Sequence, residues 1–149
     1  MSIQSQENSM RRLAALLSHD LSYIYGERES GPNGDKKTFL RVGKAFLHAL
    51  SKDLRLRDAK ITSNAGGIAV SGECTLIGMW EDSGIYICIE QPCFMGEDVL
   101  LFRSVRHMRD YKGGYNNYVS RRELARMSYE ELCARLMTVR KEIRDERAA

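Results

Sequence analysis

Residues 68–91 read IAVSGECTLIGMWEDSGIYICIEQ. Ile68, Val70, Cys74, Leu76 and Trp80 fall on one side of an extended chain, with Ser71, Glu73 and Thr75 on the other. After the tight turn Glu81-Asp82-Ser83-Gly84 the period of two resumes, Ile85, Ile87 and Ile89 alternating with Tyr86, Cys88 and Glu90. Two alternating runs joined by a short polar turn predict an antiparallel hairpin with one buried face. Upstream, Asp58 to Ser63 forms a shorter strand with Ala59 and Ile61 on one side, and Asn64-Ala65-Gly66-Gly67 turns it into the hairpin. Downstream, Pro92 ends the third strand, and the loop 93–98 leads into VLLFRSVR, a fourth. The expected sheet is a four-stranded antiparallel meander.

The flanks have helical period. Met10, Leu13, Leu17, Leu21 and Ile24 recur at spacings of three and four, so Ser9 starts and Gly26 stops an amphipathic helix, with residues 1–8 frayed. The stretch GERESGPNGDKK that follows is a flexible connector. Thr38 opens a second helix with Phe39, Val42, Phe46, Ala49 and Leu50 on its core face. Gly43 within it costs roughly 1 kcal/mol relative to alanine unless it permits close packing on the sheet. After the strands, Ser120-Arg121-Arg122-Glu123 and Ser128-Tyr129-Glu130-Glu131 have capping-box spacing, predicting a short helix and then a longer one striped by Leu132, Leu136, Val139 and Ile143. The fold class is therefore α+β, order α-α-β-β-β-β-α, with helices on one face of the sheet. Residues 1–36 form the N-terminal helix and linker, free to dock on this domain or on a partner, and 37–149 a single α+β domain.

Between sheet and last helix lies the chain's most distinctive stretch, FRSVRHMRDYKGGYNNY. It gathers Arg103, Arg106, His107, Arg109 and Lys112 with Tyr111, Tyr115 and Tyr118, around Gly113-Gly114 and the pair Asn116-Asn117. Cationic side chains pair with phosphates, and tyrosine rings stack on unpaired bases for roughly 1–3 kcal/mol each. The same residue types anchor protein interfaces. Met79, Trp80, Phe94 and Met95 would extend such an interface, unless Trp80 closes the core. A purely structural turn explains the composition equally well.

Little points to catalysis. His107 and His48 have no carboxylate or nucleophile at a recognisable spacing, and Cys93 has no paired histidine. The glycine-rich pieces lack both the P-loop ending and the dinucleotide fingerprint. The four cysteines include no C-x-x-C pair, so no structural metal site and no cofactor is expected, and the thiols read as reduced in a cytoplasmic protein. The N-terminus carries no signal-peptide pattern, and no segment has the length of a membrane span, so no membrane partner is expected. The net charge of +3 is a mild bias.

The strings KTFLRVGKAFLHALSKDL, SNAGGIAVSGECTLIGMW, IYICIEQP and LFRSVRHMRDYKGGYNNY resemble small accessory proteins carried by bacteriophages, plasmids and integrated elements. GGIAVSGE, HMRDYKGG and the NN pair carry most of that likeness. The resemblance implies a mobile-element accessory protein and transfers no catalytic residue. The leading expectation is a non-enzymatic protein that binds a host or element-encoded protein machine, with inhibition of a nucleic-acid-guided (CRISPR-type) defence complex as its sharpest form. The alternative is direct nucleic-acid binding by the basic tyrosine loop, and the oligomeric state stays open.

Overall fold

The alternating runs at the centre of the chain become neighbouring strands. A computed structural model describes residues 2–18, 35–66, 72–91 and 96–148. In it β1 (Arg57–Asn64), β2 (Glu73–Met79), β3 (Gly84–Glu90) and β4 (Asp98–Val105) pair antiparallel in chain order. Register sets the faces: Cys74 lies opposite Ile89, Leu76 opposite Ile87, and Ile87 opposite Phe102. These side chains are at most 2% exposed. Ile68 and Val70 lie outside the described residues. In β1, Ile61 sits opposite Leu76 and is partly buried, but Ala59, expected on the same side, is exposed. The register shifts between Arg57 and Lys60, where Asp58 takes a φ of 55°, so the alternation breaks at that point.

The sheet has one strand more than the alternation predicts. β5 (Asn117–Ser120) pairs with β4, placing Val119 opposite Leu100 and Tyr118 opposite Leu101. Alone this segment reads as loop, because Val119 is its one apolar residue. Pairing to the free edge of β4 decides its conformation, and Val119 becomes fully buried. The sheet order is β1-β2-β3-β4-β5.

The helices cover one face. α1 (Ile3–Leu16) packs against α2 (Asp35–Asp53), α3 (Arg121–Arg126) and α4 (Tyr129–Ala148), while α2 lies over β1 and β2 and α4 over β3 and β4. Phe39, Phe46 and Leu50 of α2 and Leu132, Leu136 and Val139 of α4 join the sheet residues in one core. Gly43 is where α2 meets the sheet, since a Cβ there would lie 2.7 Å from the Cys74 Sγ. The Ser120 capping box closes in both directions, Glu123 N donating to Ser120 Oγ and Ser120 N to Glu123 Oε1, each at 3.0 Å. At the start of α4, Glu131 N donates to Ser128 Oγ at 3.0 Å.

α1 starts well before Ser9. Ser2 caps it by accepting from Ser5 N at 3.1 Å, and Ser9 lies inside, donating to the Ser5 carbonyl. Met10, Leu13 and Leu17 are at most 3% exposed within the same core as the sheet. Gln6 is fully buried and donates to the Tyr129 hydroxyl, which donates in turn to Asp53 Oδ2 at 2.5 Å. Arg11 donates to the carbonyls of Leu124 and Met127, tying α1 to the end of α3. The helix thus docks on the other helices of its own chain; Leu21, Ile24 and the connector lie outside the described residues. Among those residues no helix is long and apolar enough to cross a membrane.

Candidate functional site

With helices on one side, no helix among the described residues covers the other side of the sheet, and the alternate strand positions that avoid the core define its surface. One row across it runs Lys60, Ile77, Tyr86, Arg103, each opposite the next. The adjacent row runs Thr62, Thr75, Cys88, Leu101, Tyr118. Beyond them Glu73 faces Glu90. The open face is therefore polar in order: a basic row, a hydroxyl-bearing row and an acidic end.

The β4–β5 connection turns the basic end into a groove. Asp110 holds this loop in shape: its Oδ2 accepts the Arg106 backbone N–H at 2.9 Å, and its Oδ1 accepts that of Lys112 at 3.1 Å. Those bonds, Arg106's first, hold its carboxyl below the usual aspartate range. Its carbonyl accepts from Arg103 Nη1 at 3.0 Å, and Gly114 N donates to the Ser104 carbonyl at 3.0 Å, pinning the loop to β4. The loop approaches so closely that a Cβ on Gly113 or Gly114 would overlap Ser104. Here the Gly113-Gly114 pair has its physical reason.

The groove has a volume of about 480 Å³. Lys60, Thr62, Thr75, Ile77, Tyr86 and Arg103 form its floor, and Met108, Arg109, Asp110 and Tyr111 its wall. The Arg103 guanidinium lies over the Tyr86 ring, 4.9 Å from its centroid, an arrangement that orients both groups. Burial, then the neighbouring Cys88 and Glu73, push the Tyr86 phenol well above its ordinary pKa, so it stays a neutral donor. Thr62 and Thr75 share a 2.5 Å hydroxyl contact beside it.

At the acidic end Glu73, Cys88 and Glu90 bring two carboxylates and a thiol within 4.8 Å of one another, donor types that suit a divalent cation. Cys88 Sγ donates to Glu73 Oε2 at 3.5 Å. Burial, followed by the Glu90 and Glu73 charges, raises the thiol, while burial and Glu73 raise Glu90. Burial also raises Cys133 and pushes Cys74 up to about 12, so the described thiols are poor nucleophiles at neutral pH. Cys93 lies outside the described residues.

Of the residues singled out from sequence, the fold brings Arg103, Arg109 and Tyr111 together at the groove. Arg106, His107, Lys112, Tyr115 and Asn116 are exposed on the loop away from its lining. His107 Nδ1 accepts the Arg109 backbone N–H. Asn117 braces the loop base, donating to the carbonyls of Tyr115 and Phe102, and Tyr118 stands 43% exposed on β5. Trp80 is buried, its Nε1 donating to the Leu54 carbonyl at 2.8 Å, so it closes the core and does not extend a surface patch. Phe94 and Met95 lie outside the described residues. The floor residues Lys60, Thr62, Thr75 and Tyr86 were missed, although the alternation that placed their neighbours in the core marks them as sharing the opposite face.

No family model, curated protein or solved structure matches this chain. The chemistry of the groove is what carries a functional reading.

Proposed function

We propose that this protein is a binding protein, not a catalyst, and that it holds an unpaired nucleic-acid strand on the open face of its sheet. The observation that carries this is the groove itself, where Lys60, Arg103 and Arg109 line one concavity and Arg103 is stacked over Tyr86. A flat base with an attached phosphate needs a planar contact, hydroxyl partners and positive charge within one concavity. The Arg103 guanidinium stacked on Tyr86, the hydroxyls of Thr62 and Thr75, and the charges of Lys60 and Arg109 supply these in turn. Among the described residues the groove's lone carboxylate, Asp110, is occupied by backbone amides, and no histidine or cysteine lines the groove. Service to a mobile element, as the sequence resemblance implies, is part of this reading.

A second reading is contact with a protein machine, with inhibition of a defence complex as its sharpest form. Tyr111 and Tyr115, 85% and 83% exposed, favour it, because such rings anchor interfaces. The buried position of Trp80 removes one of the apolar residues that would have widened that patch.

Titration of a fluorescent pyrimidine oligonucleotide across a salt series separates the two. Wild type should bind with a negative log-affinity against log-salt slope, and Lys60→Ala/Arg109→Ala should flatten that slope by roughly 1.4, about 0.7 per lost phosphate contact. Binding that ignores salt, or an unaltered double variant, would transfer the groove to the protein-contact reading.

A further inference from the structure

Among the described residues five arginines line the clefts beside α3, and three of them are committed to the fold. Arg121 pairs with Glu97 at 3.4 Å, Arg135 with Glu123 and with the Tyr118 carbonyl, and Arg11 with the carbonyls that end α3. Arg122 and Arg126 are different. Both are exposed and neither has a hydrogen bond or ion pair among the described residues. They stand one helical turn apart and line both of the clefts that flank α3, of about 380 and 480 Å³.

The sequence accepts a cost for this placement. Like charges four apart on a helix repel each other, and Arg122 in the first turn opposes the helix dipole, a cost that Arg126 in the last turn only partly offsets. Two exposed cations without a side-chain partner among the described residues, held between two concavities, suit an anion from outside.

Its position relative to the groove says which anion. Tyr118 is a diagonal neighbour of Arg103 across the β4–β5 pair, about 7–8 Å away. Two residues further along β5, about 7 Å, Ser120 ends the strand and caps α3. The groove, the exposed Tyr118 ring and the Arg122–Arg126 ridge therefore follow one another around the outer edge of the sheet. Resting on the groove reading, we propose that the ligand is an extended single strand of nucleic acid, whose phosphates leave the groove, pass Tyr118 and seat on Arg122 and Arg126. Its partner class is then an oligonucleotide of several residues, not a free nucleotide.

The test compares pyrimidine oligonucleotides of 3 and 12 residues on wild type, Arg122→Ala/Arg126→Ala and Arg122→Lys/Arg126→Lys, each shown to be folded by its thermal melt. Wild type should bind the 12-mer more tightly than the 3-mer. The alanine pair should flatten the 12-mer's salt slope by roughly 1.4 and leave 3-mer binding unchanged, and the lysine pair should restore the slope. A 12-mer bound equally by wild type and the alanine pair overturns the ridge while leaving the groove intact. Failure of wild type to bind either oligonucleotide overturns both readings. Capture of an acidic polyglutamate peptide by wild type, lost in the alanine pair without any 12-mer effect, would assign the ridge to a protein partner and overturn the proposal.

Discussion

Asp110 and Glu90 show how single carboxylates meet opposite fates on one sheet face. Asp110 is ringed by amide donors, and its charge shapes the loop. Glu90 stands opposite Glu73 with Cys88 beside it, so its charge is opposed by burial and by a like neighbour. A carboxyl raised above its unfolded value costs no stability while both states are protonated, and the penalty grows as pH rises through the folded pKa. Glu90→Gln should therefore stabilise the fold at pH 7 by the roughly 0.2–1 kcal/mol typical of a cross-strand pair, and the gain should vanish below pH 4. Urea melts of both proteins at the two pH values measure this. A variant less stable than wild type at pH 7 would mean that a favourable contact of the Glu90 carboxylate outweighs its repulsion from Glu73. Neither fate is visible in sequence, because each depends on what register places opposite the residue.

At the scale of elements, local pattern and tertiary pairing divide the work. The β2–β3 hairpin and the core stripe of α2 were legible because each repeats one period over several residues. β5 was not, since a four-residue strand with one apolar side chain has no period to read, and its partner edge lies many residues upstream. The start of α1 was hidden for a related reason: Gln6 interrupts the apolar stripe, yet it is fully buried through its bond to Tyr129. The groove floor shares faces with strands already recognised, but nothing local said that a loop would fold over it. Gly43 is the case where a local cost revealed a tertiary contact. Alanine there would gain roughly 1 kcal/mol of helix propensity and yet force a Cβ to 2.7 Å from the Cys74 sulfur. Overpacking of that kind costs about 1–3 kcal/mol, so Gly43→Ala should be net destabilising. Removing the sulfur should relieve that clash, so Gly43→Ala should be better tolerated in a Cys74→Ala background. A double-mutant cycle from chemical denaturation reads this directly, and additive effects would show that the helix moves away at no cost.

For the whole molecule, the decisive relation is between α1 and everything it touches. Read as sequence, residues 1–36 look like an appendage on a domain spanning 37–149, whereas the fold seats Met10, Leu13 and Leu17 in the shared core. Burying three such side chains contributes roughly 5–9 kcal/mol at 1.5–3 kcal/mol each. That is comparable to the entire stability of a domain this size, about 5–15 kcal/mol. Glu7 also accepts the Tyr129 backbone N–H, and Arg11 closes the end of α3. Deletion of residues 2–18 should therefore abolish the cooperative unfolding transition, with loss of near-ultraviolet dichroism and gain of dye-accessible apolar surface. The point mutant Arg11→Ala should be milder, keeping the transition while loosening α3 and with it the Arg122–Arg126 ridge. If the shortened chain melts cooperatively at a temperature close to wild type, α1 is an accessory after all, and the sheet with α2 and α4 carries the core alone. In that event the ridge would have to hold its geometry without Arg11, and 12-mer binding by the shortened chain would report whether it does.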